Sequence, residues 1–160
     1  MKPDTFTPGP QTVIPYLMVR GAPAALTFYA TAFGARERVR MALADGRIGH
    51  AELELCGNLV WLADEAPEID CPSPQTLGGA GAMLFVYCTD VEALCARAVT
   101  AGCVVVRPLA DQFWGDRTVT LRDPFGHVWT FATRKVQLTL EEAQARAANP
   151  EVWRDPSHSG

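Results

Sequence analysis

The feature that most limits what this chain can fold into is an internal repeat. Sliding the sequence by 68 residues (102 − 34) lays Gly34 on Gly102, Leu26 on Leu94, Leu53 on Leu121 and Val60-Trp61 on Val128-Trp129. The identities are few. Helix stops, strand order and hydrophobic alternation nevertheless come into register together, which is the mark of a duplicated unit that buries its apolar face against its twin.

Each copy reads as βαβββ. In the first, a strand over Val13 to Arg20 leads to a helix with Pro23 in its first turn, Leu26, Tyr29 and Phe33 at helical spacing, and Gly34 as its stop. Strands follow over Arg36 to Leu43, His50 to Leu55 and Leu59 to Ala63, joined by the turns Asp45-Gly46 and Gly57-Asn58. In the second, a strand over Met83 to Cys88 precedes a helix opened by the capping box Thr89 with Glu92 and closed by Gly102. Val104 to Arg107, Thr118 to Arg122 and Val128 to Ala132 are its remaining strands, the last two joined through Asp123-Pro124-Phe125-Gly126. The expected organisation is an arm over 1–12, a module over 13–63, a Pro- and Gly-rich linker over 64–82, a second module over 83–134, and a C-terminal helix and tail over 135–160. The box Thr139 with Glu142 opens that helix, and Asn149 to Gly160 reads as a loose tail.

Composition removes several functions. A chain of 160 residues suits two half-size modules sharing one core, and 48% hydrophobic with 20% charged residues is a globular balance. The formal charge of −4 comes without any basic run able to release counterions from a phosphate backbone, so no nucleic-acid partner is expected. No apolar stretch approaches the ~20 residues that cross a bilayer, and the polar, Pro-rich start has no signal-peptide core. The five cysteines, Cys56, Cys71, Cys88, Cys95 and Cys103, form no C-x-x-C pair and read as reduced, mostly buried thiols. The expected setting is cytoplasmic, with no membrane partner.

Several segments together resemble one family: Ile14-Pro15-Tyr16-Leu17, Phe28-Tyr29 with Phe33-Gly34-Ala35, Ile48-Gly49-His50-Ala51-Glu52, Pro74-Gln75-Thr76-Leu77-Gly78-Gly79, Asp111 to Arg117 and Asp123-Pro124-Phe125-Gly126-His127. They are similar to the vicinal oxygen chelate superfamily of glyoxalase I, bleomycin-resistance proteins, fosfomycin-modifying enzymes and extradiol dioxygenases, and within it to the glyoxalase-like branch called PhnB-like. The resemblance implies an α+β fold of two tandem βαβββ modules, whose curved mixed sheets form a cavity, usually within a homodimer. Metal enzymes of the superfamily take ligands from the first and last strands of each module. Carried across, those positions fall on Pro15, Met83, Trp61 (Leu62 if the register slips by one) and Thr130. Proline and tryptophan cannot ligate a divalent ion, a thioether is too soft for a hard one, and one hydroxyl is not enough. No metal at the usual site and no cofactor are therefore expected.

Chemistry could still reside on the strand around His50. There His50, Glu52 and Glu54 alternate with Ala51, Leu53 and Leu55, so three ionisable groups share one face. Thr118, Thr120 and Arg122 are their repeat counterparts, with Arg117 just before. His50 and Glu52 are the candidate catalytic pair. Glu54, Phe85, Tyr87, Trp114, Arg117 and Arg122 are candidate ligand contacts, the aromatic ones as walls for an organic molecule. The alternative for the polar strand is a salt-bridge ladder with the arginines; for Trp61 and Trp129 it is core packing; for His127, a bond to backbone after a tight turn. Three readings stay open: a metal-independent homodimer binding a small organic molecule, as bleomycin-resistance proteins do; a lyase, isomerase or dioxygenase with a divalent ion displaced to His50 and Glu52; or a structural or interaction protein whose cavity is filled by side chains.

Overall fold

The computed structural model describes residue 11 and residues 13–153, without the Trp153 side chain; most of the expected N-terminal arm, the tail beyond 153 and His158 lie outside the described residues. In the first module β1 (Tyr16–Val19), α1 (Ala22–Phe33), β2 (Arg36–Ala42), β3 (Ile48–Leu55) and β4 (Asn58–Asp64) follow in order. After a linker come β5 (Met83–Tyr87), α3 (Val91–Ala101), β6 (Val104–Asp111), β7 (Asp116–Arg122) and β8 (Val128–Arg134). The sheets are ordered β1-β4-β3-β2 and β5-β8-β7-β6, with β1/β4 and β5/β8 parallel and the other pairs antiparallel. Two α+β modules of one design are what the repeat requires. Among the described residues no helix is long and apolar enough to cross a membrane.

Local chemistry sets the helix ends. Gly34 and Gly102 close α1 and α3 in the left-handed conformation, where a side chain would be strained. The N-terminus of α3 corrects the sequence reading: the cap is Asp90, which accepts from the Ala93 amide, not Thr89. Aspartate there also places negative charge at the positive end of the helix. The linker holds a 3-10 turn, Pro67–Ile69, and a short helix, α2 (Pro74–Leu77), rather than unstructured chain. Glu65 anchors it by accepting from the Ser73 amide at 2.9 Å and the Arg20 guanidinium at 2.6 Å. Beyond the second module, Thr139 and Glu142 form both bonds of the expected capping box at the start of α4 (Leu140–Ala147). Pro150–Trp153, expected as loose tail, is a 3-10 turn.

The core lies where the helices meet the sheets. Leu53, Val60 and Leu62 of the first sheet and Val119, Leu121, Trp129 and Phe131 of the second are buried with Leu26, Tyr29 and Phe33 of α1 and Leu94 of α3. Helix α1 is shared between modules, since the Tyr29 and Phe33 rings contact Trp129 5.6 and 5.2 Å away. Two polar ties add to this: buried Asp123 accepts from the Tyr29 hydroxyl at 2.7 Å, and His127 Nε2 lies 3.0 Å from the Met18 carbonyl. The backbone bond expected of His127 thus reaches the other module.

The repeat is not one uniform shift. Leu53 pairs with Val60, seven residues on, whereas Leu121 pairs with Trp129, eight residues on. The second hairpin is one residue longer, so β4 superimposes on β8 with a shift of 69. Trp61 corresponds to Thr130, and Tyr16 and Phe85 are their neighbours on the first strands. Trp129 is core at 1% exposed, while Trp61 is half-buried on the opposite face of its sheet.

Candidate functional site

With Leu53, Val60 and Leu62 turned to the helices, the other face of the first sheet carries Tyr16 and Met18 from β1, His50, Glu52 and Glu54 from β3, and Trp61 from β4. The expected alternation of β3 holds, and the structure brings its three ionisable groups together with two aromatic rings. The Tyr16 hydroxyl lies 3.0 Å from His50 Nδ1, and His50 Nε2 lies 3.5 Å from Glu52 Oε1. His50 and Tyr16 meet Trp61 edge-on, with centroids 5.0 and 5.8 Å away. Partial burial raises the Tyr16 phenol above its ordinary value, with a smaller push from Cys71, so the hydroxyl keeps its proton at neutral pH. When it donates that proton to Nδ1, the imidazole hydrogen sits on Nε2, toward Glu52. Glu54 does join an ion pair, with Arg36 of β2 at 2.7 Å rather than with Arg117 or Arg122.

Tyr16 and Met18 also line a pocket of about 300 Å³ in which apolar Leu43 and Ile69 meet charged Arg47, Asp64 and Glu68. Tyr16 and Met18 are missing from the sequence-based site, in which Trp61 stays open between aromatic wall and core. The face of Tyr16 and Met18 could be read from alternation along β1, whereas only the pairing of Trp61 with Tyr16 and Glu52 assigns it to this face.

The remaining predicted residues belong to the second sheet. Phe85 and Tyr87 lie half-exposed on β5, on the face carrying buried Thr120 and Thr130. Trp114, in the β6–β7 turn, is tied to Tyr87 through Asp116, a carboxylate 1% exposed. Its Oδ2 accepts from the Tyr87 hydroxyl and from Trp114 Nε1, each at 2.8 Å, and its Oδ1 accepts from Arg134. Arg134 also donates to the Tyr87 oxygen at 2.9 Å. Burial and the Asp116 contact raise the Tyr87 phenol against an opposing effect of Arg134, and its hydroxyl is committed to Asp116 and Arg134.

Two arginines depart from expectation. Arg117 shares the strand face of Val119 and Leu121 and pairs with Glu92 of α3 at 2.7 Å and Asp111 at 2.9 Å, so it does not face the His50 group. Alternation forces this, because Thr118, Thr120 and Arg122 occupy the other side. Arg122 is exposed at the end of β7. Of the cysteines, all free, Cys103 is buried and Cys56 is exposed, with the others between; burial pushes the Cys103 thiol up to about 12.

A profile of the glyoxalase/bleomycin resistance protein/dioxygenase superfamily matches residues 10–131. The chain belongs to this superfamily. An uncharacterized protein of Mycobacterium tuberculosis is 39% identical over 134 residues, covering 82% of this chain and 79% of that one. Among solved structures, TioX from Micromonospora sp. ML1 superimposes with a TM-score of 0.61 at 28% identity, covering 81% of this chain and 100% of TioX. A PhnB protein from Bacillus cereus shares the fold, with a TM-score of 0.58 at 19% identity over 77% of this chain and 99% of its own.

Metal enzymes of such a superfamily need several imidazole or carboxylate donors converging on one point. At the last-strand positions to which the resemblance would assign ligands, the chain has a tryptophan and a threonine. Trp61 stands beside Tyr16, and the Thr130 hydroxyl is engaged with the Thr120 hydroxyl at 2.8 Å and the Met83 sulfur at 3.1 Å. Among the described residues no three His, Cys, Asp or Glu side chains gather as a metal-binding group.

Proposed function

We propose that this protein binds a small organic molecule on the first-sheet face around Tyr16, His50, Glu52 and Trp61, without a divalent ion, as a homodimer. The observation that carries the reading is the connected set Tyr16–His50–Glu52 set against Trp61, with Tyr16 also lining a neighbouring pocket of about 300 Å³. Aromatic walls with a few placed polar groups are what a small-molecule site needs. Phe85, Tyr87 and Trp114 offer a second aromatic surface, and Met83, Phe85 and Tyr87 are each about half exposed. A second copy of the chain laid over the sheet faces would cover these rings and close the sites.

The geometry also favours a second reading, in which the bound molecule is turned over. An imidazole held between a phenol and a carboxylate can take up and return a proton, as a lyase or isomerase of the glyoxalase type requires. A metal-dependent version, dioxygenases included, would need donors beyond His50 and Glu52.

The test is native mass spectrometry of protein purified without chelator, combined with elemental analysis and light scattering. The reading expects a dimer carrying substoichiometric organic adducts that are lost in His50→Ala, with well under 0.1 divalent ion per chain. A monomer with one tightly held divalent ion per chain and no affinity for organic molecules would overturn it.

A further inference from the structure

Resting on the first-sheet face as the binding site, we infer that the ligand group read there is an amide-type edge, a carbonyl beside an N–H. The Trp61 indole on this face lacks the partner its burial calls for, and a carboxylate stands beside it. Trp61 Nε1 is sealed from solvent and has no acceptor among the described residues. The indoles of Trp114 and Trp129 donate to Asp116 and Asp123 at 2.8 and 2.9 Å, so Trp61 departs from the two other indoles described. A buried donor left without an acceptor is rare enough in folded proteins to need a reason.

Glu52 is the complementary case. Its side chain is 12% exposed, and its one ionic partner among the described residues is His50 at 3.5 Å. On the same sheet, the more exposed Glu37 and Glu54 each hold an arginine at 2.7 Å. Glu52 thus keeps acceptor capacity that its arginine-paired neighbours have spent.

Glu52 and Trp61 are paired across β3 and β4, and their side chains leave the same face roughly 5 Å apart. The face therefore presents an acceptor next to a donor. A carboxylate ligand would satisfy Trp61 and be repelled by Glu52; an ammonium ligand would do the reverse. A lactam, a cis-amide or a nucleobase-type edge satisfies both, its C=O accepting from the indole and its N–H donating to the carboxylate. Tyr16, 46% exposed and edge-on to Trp61, would have to move aside to admit it.

The test uses three planar probes of one shape, 2-quinolone, N-methyl-2-quinolone and quinoline, followed in proton–nitrogen spectra of the tryptophan side chains of the full chain. The Trp61 signal is assigned by its loss in Trp61→Phe. The expected result is a downfield shift of that signal with 2-quinolone and at least tenfold weaker binding of the other two. Glu52→Ala should weaken 2-quinolone about tenfold or more, and Glu52→Gln, which keeps the shape, by several-fold. Equal affinity for all three probes with the Trp61 signal unmoved would overturn the inference while leaving the face as a binding site. Perturbations confined to other parts of the molecule, or none at all, would overturn both.

Discussion

Replacing Tyr29 by phenylalanine removes one oxygen from the centre of the molecule. That hydroxyl, on a ring 1% exposed, donates at 2.7 Å to Asp123, itself 4% exposed and 94 residues away in the other module. Burial, reinforced by the Asp123 charge, holds the Tyr29 phenol well above its ordinary value, so it is a proton donor at any working pH. The ring contacts with Phe33, Phe125 and Trp129 survive in the variant. Asp123 also keeps Trp129 Nε1 and the amides of Phe125 and His127, each at 2.9 Å. The loss is thus one buried hydrogen bond to a charged acceptor, worth roughly 1.5–3 kcal/mol. For a domain of this size that is a fall of roughly 3–12 °C in melting temperature. Urea unfolding followed by far-UV dichroism gives the free energy, and a double-mutant cycle with Asp123→Asn isolates the pair. A change below about 0.5 kcal/mol with no coupling would refute the claim that this bond ties the modules.

Two further perturbations probe the frame around the site. Glu65 accepts from Thr76, Ser73 and Arg20, and these bonds hold its carboxyl down to about 2, whereas an unfolded glutamate titrates near ~4.3. A lowered folded value means that its stabilisation is present above about 4.3 and lost as pH falls toward 2. The urea midpoint should drop through that window, and Glu65→Gln should flatten the drop. Gly115 has φ +94°, and a Cβ there would lie 2.2 Å from the Val136 carbonyl oxygen; Gly34, at φ +72°, has open space. Gly115→Ala should therefore cost roughly 3 kcal/mol or more, against about 1 kcal/mol for Gly34→Ala. Comparable melting temperatures for the two variants would contradict this.

Much of this architecture was legible in the sequence, because its signals are local. Gly34 and Gly102 stop their helices, Thr139 and Glu142 cap theirs, and His50 to Leu55 alternates cleanly because one face meets the core and the other does not. The β4 strand was harder to read. Leu59 to Ala63 is apolar on both faces, so periodicity could not say which way Trp61 points, and the Val-Trp identity with β8 suggested the wrong register. The site is divided along the same line. The His50, Glu52 and Glu54 face follows from alternation, and the turning away of Arg117 could have been read from the same rule. By contrast, the bonds of Asp116 to Tyr87, Trp114 and Arg134 join residues spread over 48 positions (134 − 87 = 47 steps). No local pattern announces them. They arise because parallel pairing puts β5 beside β8.

The central claim, that the first-sheet face is where a small organic molecule binds, is tested most directly by mapping amide shifts of the full-length protein against a library of small aromatic fragments. The account predicts that binders perturb Tyr16, His50, Glu52 and Trp61 together, and that His50→Ala and Glu52→Ala fold normally but weaken those binders by roughly tenfold or more. Binders that leave those four residues unmoved and collect instead around Arg117, Lys135 and Arg146, where a polar cavity of about 500 Å³ opens beside α4, would contradict it.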